Sequence, residues 1–85
     1  MSEQLVGSVS HYFNKAGVIA IEMTGDLAVG DTIHVTGHLT DFTEMVGSMQ
    51  IEHEQVTKVK PGDSVGIKVA GKAREGDDVY RVLPD

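Results

Sequence analysis

The sequence predicts an all-β fold, a small antiparallel barrel of six to seven strands occupying one domain, residues 1–85. Two observations predict it. Turn chemistry recurs at short, fairly regular intervals, at Gly25-Asp26, Gly30-Asp31, Pro61-Gly62-Asp63 and Glu75-Gly76-Asp77-Asp78. Glycine reaches positive φ without steric cost and aspartate bonds the nearby backbone, so these pairs mark turns. Between them lie runs rich in Val, Ile and Thr that alternate apolar with polar, the period of a half-buried strand. No segment sustains the 3.6-residue apolar period of a helix. Closure into a barrel removes the open edges of such a sheet.

The elements follow in order. A first strand covers Gln4 to Phe13, and a second covers Gly17 to Thr24, with Ile19, Ile21 and Met23 on one face. The third, Thr32 to Thr36, turns Ile33 and Val35 inward and His34 outward. A fourth spans Thr40 to Val46. The fifth, Ser48 to Val56, places Met49, Ile51 and His53 on one face and Gln50, Glu52 and Glu54 on the other. The sixth, Ser64 to Ala70, points Val65, Ile67 and Val69 inward, and the last runs from Val79 to Leu83. These facings rest on the alternation of side chains along a strand. Gly66 inside the sixth strand marks a bend, a bulge or a close backbone approach. Met1 to Glu3 and Pro84-Asp85 are expected to fray.

Composition narrows the function. The chain has no cysteine, which excludes disulfides and thiol chemistry and fits a reducing compartment. The start MSEQLVGSVS lacks the pattern of a signal peptide, and the longest apolar run, Val18 to Ile21, is too short to span a membrane. A cytoplasmic protein is therefore expected. The net charge of −6 argues against general nucleic-acid binding, which rests on positive charge. That charge is uneven. Residues 1–57 hold Lys15 against eight acids, whereas residues 58–85 hold Lys58, Lys60, Lys68, Lys72, Arg74 and Arg81 against five. The last third presents either a basic face on an acidic body or ordinary solvated, edge-blocking lysines.

Candidate sites are few. His34 and His38 stand about 13 Å apart on a strand, too far to share a metal unless the chain turns at Gly37. Alternation sends His53 and its flanking acids Glu52 and Glu54 to opposite faces, so no metal site is expected. His11-Tyr12-Phe13 gathers three rings in a chain that is 5% aromatic. They either lie exposed next to a basic face and stack on bases or anchor a peptide, or close a barrel end with Phe13 in the core and Tyr12 on the rim. The serines at 8, 10, 48 and 64 show no His-and-acid partnership in their spacing. A barrel this small hardly encloses both a core and a substrate cavity. The chain is expected to be no enzyme and to hold no cofactor.

Gly25-Asp-Leu-Ala-Val-Gly-Asp31 with Thr-Ile-His-Val, then Ser48-Met-Gln-Ile-Glu52, Val56 and Lys60-Pro-Gly-Asp-Ser-Val-Gly-Ile67, resemble the signatures of domain II of translation GTPases such as elongation factor Tu and initiation factor two. Val79-Tyr-Arg-Val-Leu83 matches the closing strand of that barrel. The resemblance spans residues 5 to 83. No G-x-x-x-x-G-K-[ST] loop occurs, so nucleotide binding is not expected. The chain is most similar to stand-alone elongation-factor-like proteins and to the barrel appended to collagenase-like peptidases. The resemblance implies that Glu52, Asp63 and Ser64 occupy the positions that help hold the aminoacylated end of transfer RNA. Ser64 replaces an Asn of the family, and the segment between Glu52 and Asp63 is shorter here.

The expectation is a non-enzymatic binding module whose partner is a protein rather than ribosomal or transfer RNA. Its contact residues would be Tyr12, Glu52, His53, Asp63, Ser64, Lys72 and Arg74. The alternative is a detached accessory subunit of a collagenase-like peptidase or an RNA-modifying enzyme. A homodimer formed through an uncovered edge strand is a third possibility.

Overall fold

The computed structural model describes residues 2–83. They form ten strands and no helix: β1 (Ser2–Phe13), β2 (Val18–Met23), β3 (Leu27–Ala28), β4 (Thr32–Thr36), β5 (Asp41–Met45), β6 (Met49–Ile51), β7 (Glu54–Val56), β8 (Lys58–Val59), β9 (Ser64–Lys68) and β10 (Asp78–Leu83). Eight pair in the order β5-β4-β10-β1-β2-β9-β6-β7, and every pairing is antiparallel. β3 and β8 form a separate two-stranded ribbon. The all-β, antiparallel expectation therefore holds. The main ladder runs open, with β5 and β7 as its two ends.

Alternation places the core. Ile19, Ile21 and Met23 of β2, Ile33 and Val35 of β4, and Val65 and Ile67 of β9 are buried, each two residues from the next. Val79, Met49, Val46, Leu27 and Val59 join them in one cluster. The ribbon β3–β8 contributes Leu27 and Val59, which pair with each other, and its second rung joins Ala28 to Lys58. Backbone bonds from Gly30 N–H to Val46 O and from Val46 N–H to Asp31 O tie the ribbon to the end of β5.

Three turns share one construction. In Ala28–Asp31, Lys60–Asp63 and Arg74–Asp77 the glycine before the aspartate has φ of 98°, 94° and 90°. In each, the aspartate N–H donates to the carbonyl three residues back, and its Oδ2 accepts the N–H of that same residue at 2.9, 3.0 and 2.8 Å. Glycine is required at the left-handed corner, and the carboxylate locks the turn from outside.

Several sequence expectations are corrected. Ser2 and Glu3 belong to β1 rather than to a frayed end, while Met1 and Pro84-Asp85 lie outside the described residues. The fifth strand is two strands, because the chain reverses at Glu52-His53. Gly66 keeps regular register, and a Cβ there would sit in ordinary contact with Val18. The bulges lie in β1, at Leu5/Gly7 and at Val9/His11. The close backbone approach is at Gly7, where a Cβ would stand 2.7 Å from the Glu22 carbonyl oxygen. The bulge at Val9/His11 also exchanges the facing of the rings. Tyr12 lies opposite buried Ile19 and packs on the core, whereas Phe13 is half exposed.

Candidate functional site

The hairpin β6–β7 closes in two residues, with Ile51 paired to Glu54 across the turn. Glu52 and His53 have φ of 51° and 68°. Positive φ at both central positions is the geometry of a type I′ turn, whose twist suits a hairpin but which favours Asn-Gly. A β-carbon in that region costs about 1 kcal/mol or more per residue. Strain of this kind concentrates at ligand sites and switch segments. The reversal also brings Glu52 and His53 to one hairpin tip, against the expectation that alternation separates them.

That tip borders a groove of about 380 Å³. Phe13, Ala16, Val18, Ala20 and Gly66 give it apolar walls, and Gln50, Glu52, His53 and Ser64 line its polar side. Phe13 is held at the mouth by an edge-on contact with His11, ring centres 4.4 Å apart. His11 Nδ1 is 3.2 Å from Glu75 Oε1. Ser64 Oγ donates to the Glu22 carboxylate at 2.8 and 2.9 Å. Among the described residues no hydrogen bond joins Ser64 to a histidine, and its hydroxyl is directed at the Glu22 carboxylate. The groove therefore offers apolar contact, a histidine and the Glu52 carboxylate, with Glu22 held behind Ser64, a set that suits a neutral or cationic polypeptide segment.

The seven expected contact residues divide among three places. Glu52, His53 and Ser64 meet in the groove. Asp63 lines a second cavity with Lys58, Lys60 and Arg81, and one of its oxygens is bound to the Lys60 N–H. Tyr12, Lys72 and Arg74 share a third depression with Leu39 and Thr40. The basic residues of the last third thus form separate patches, not one face. Sequence reasoning missed Gln50 as a groove residue, and it offered Phe13 either as one of three exposed rings beside a basic face or as a core residue, not beside Glu52, His53 and Ser64. Their convergence depends on the β1 bulge and the Glu52-His53 reversal, and neither carries a glycine signal at the reversal itself.

His34 forms a distinct cluster. Its Nε2 is 2.5 Å from Asp41 Oδ1, and its Nδ1 is 2.8 Å from Glu3 Oε2. The bond to Asp41 raises its pKa above the ordinary 6.5, partial desolvation opposes this, and Glu3 adds to the rise. Both ring nitrogens facing carboxylates favour the imidazolium. Among the described residues no group of three or more His, Cys, Asp or Glu side chains is arranged to hold a metal ion, and no helix is long and apolar enough to cross a membrane.

No family model matches the chain. An uncharacterized protease of Methanocaldococcus jannaschii is 43% identical over 76 residues, which cover 88% of this chain and 19% of that protein. A collagenase of Porphyromonas gingivalis is 35% identical over 78 residues, covering 89% of this chain and 22% of the collagenase. The chain thus spans about a fifth of the length of the curated relatives it matches. Two crystal structures of the C-terminal domain of a Geobacillus thermoleovorans putative U32 peptidase share its fold, with TM-scores of 0.85 and 0.87 at 18% and 17% identity. They cover 89% and 94% of this chain and 96% and 93% of theirs. These findings overturn the likeness to domain II of translation GTPases and the translation-factor role drawn from it. The two Gly-Asp turns that carried the likeness, Gly30-Asp31 and Gly62-Asp63, are built by the same local chemistry as Gly76-Asp77, which lies outside the matched motifs, so they report a small β fold rather than a partner. The chain is similar, over nearly its whole length, to a minor part of proteins named protease and collagenase.

Proposed function

We propose that this chain is a non-enzymatic accessory module for a catalytic chain of the collagenase-like peptidase class, and that it presents the Phe13 groove to a polypeptide. One observation carries the reading: almost the entire chain matches about a fifth of relatives named protease and collagenase. A fifth of such a protein leaves room for catalysis elsewhere. The groove supports a binding role, since it pairs apolar walls with the His53, Glu52 and Ser64–Glu22 rim. A net charge of −6 favours a protein over a nucleic acid as partner. We read the curled sheet as a partly closed barrel. The bond from Ala70 N–H to the Glu44 carboxylate supports this, because it draws the segment after β9 against the end strand β5.

Capture from native lysate with the tagged chain, after nuclease treatment and at moderate salt, tests the proposal. The expected result is retention of a chain whose sequence is of the peptidase class, with reduced retention by Phe13→Ala. Capture that disappears with nuclease contradicts it.

A further inference from the structure

The outer face of β1, β10, β4 and β5 is apolar at its centre. The register carries two rungs straight across these four strands, Leu5–Tyr80–His34–Thr43 and Glu3–Val82–Thr32–Met45. Alternation turns these residues outward, because their chain neighbours Val6, Val79, Ile33 and Val35 are buried. Leu5 and Met45 are 49% and 64% exposed, and Tyr80 and Val82 are partly buried. A third rung, Ser8–Asp78–Thr36–Asp41, borders the patch. The charged side chains on the three rungs are Glu3, Asp41 and Asp78 against His34, whose ring nitrogens face Glu3 and Asp41. No lysine or arginine stands on these rungs. Three carboxylates less one imidazolium leave the face a local charge of −2.

We infer that this face docks a polypeptide surface that presents apolar side chains between lysines or arginines. Exposed apolar side chains gathered on one face and rimmed by polar groups mark an interaction surface. The sign of the rim selects the occupant. A second copy would set these carboxylates against their own kind, and a nucleic acid or an anionic lipid surface would be repelled in the same way. A cationic polypeptide instead meets Glu3, Asp41 and Asp78 with opposite charge, while Leu5, Tyr80, Val82 and Met45 are withdrawn from water. Tyr80 adds an aromatic ring, a side-chain type enriched at interfaces, with its centre 6.5 Å from that of His34. Thr32, Thr36 and Thr43 are short, so the apolar side chains stand clear of long solvated neighbours. The face shares no residue with the Phe13 groove and does not rest on the function proposed for that groove.

The test is methyl NMR of the labelled chain, following Leu5, Val82 and Met45. The probe is acetyl-Lys-Ser-Leu-Ser-Leu-Ser-Lys-amide, which in extended form carries its leucines between its lysines on one side. One counterpart has glutamates in place of the lysines, and the other has serines in place of the leucines. The lysine–leucine peptide is expected to shift the methyls of all three residues saturably, and to bind more weakly as ionic strength rises above about 0.1 M. Each counterpart should bind about tenfold more weakly or not at all. Leu5→Thr and Met45→Thr, at exposed strand sites that threonine suits, should each weaken binding about threefold or more, with the core methyls of Ile33 and Val35 unmoved. Asp78→Asn should weaken it about twofold, and more at low salt than at high. Absence of a saturable shift, equal binding of the glutamate peptide, or a response confined to the groove methyls of Ala16 and Ala20 overturns the inference. Movement of the Leu5, Val82 and Met45 methyls with protein concentration alone would assign the face to a second copy and overturn it as well.

Discussion

Glu52 and His53 hold left-handed backbone that Asn-Gly would adopt without strain. Replacing the pair by Asn-Gly should raise stability by about 1 kcal/mol in urea unfolding, since glycine removes one β-carbon from the left-handed region and asparagine tolerates that region better than glutamate. The same change should weaken any ligand held by the groove, and a loss of stability would show that the turn is held by contacts of Glu52 or His53 instead. The turn was not legible in the sequence because its residues lack the glycine and asparagine that mark a I′ hairpin. His34 makes a second residue-scale case. Its folded pKa lies above 6.5, so its pairing with Asp41 and Glu3 stabilises the fold fully below 6.5, and that contribution fades as pH rises through the raised value. Urea midpoints of wild type and His34→Gln should therefore differ most near pH 6 and converge toward about pH 9. A gap that widens with pH would contradict the assignment. The outward facing of His34 was readable from alternation, whereas Glu3 and Asp41 as its partners were not, since each lies on a different strand.

At the scale of elements, β2, β4 and β9 were legible because each alternates cleanly and buries the residues that alternation predicts. Ile67→Ala should cost about 2–5 kcal/mol, the range for truncating a buried aliphatic chain. Ile51→Ala should cost less, because Ile51 ends at the hairpin and is only partly buried. Equal losses would sink the hairpin reading. The three Gly-Asp turns were equally legible, yet they differ in burial. Asp77 is buried and lies against Gly37, where a Cβ would meet its Oδ1 at 2.0 Å. Asp77→Ala should therefore cost about 1–3 kcal/mol by leaving the Arg74 N–H unpaired, and Asp63→Ala, on an exposed turn, should cost less. The ribbon β3–β8 was missed because its two rungs join residues about thirty positions apart and neither strand is long enough to alternate.

At the scale of the molecule, the all-β class followed from turn spacing and alternation, whereas the motifs favoured domain II of translation GTPases over the collagenase-like peptidase alternative, which the comparisons support better. Gly25 to Asp31 and Lys60 to Ile67 are arranged by the physics of turns feeding strands, and such chemistry serves unrelated barrels alike. Convergence of Phe13 with Glu52, His53 and Ser64 likewise required the register of β1, β2, β9 and β6, a non-local fact. If the chain assists a peptidase without being one, as proposed above, the decisive assay is hydrolysis of labelled gelatin by this chain alone, by the Methanocaldococcus relative lacking its matching segment, and by the two mixed. The expected result is no turnover by this chain, and a rate for the mixture above that of the truncated relative that falls back with Phe13→Ala. Turnover by this chain alone, or a mixture no faster than the truncated relative, would contradict it.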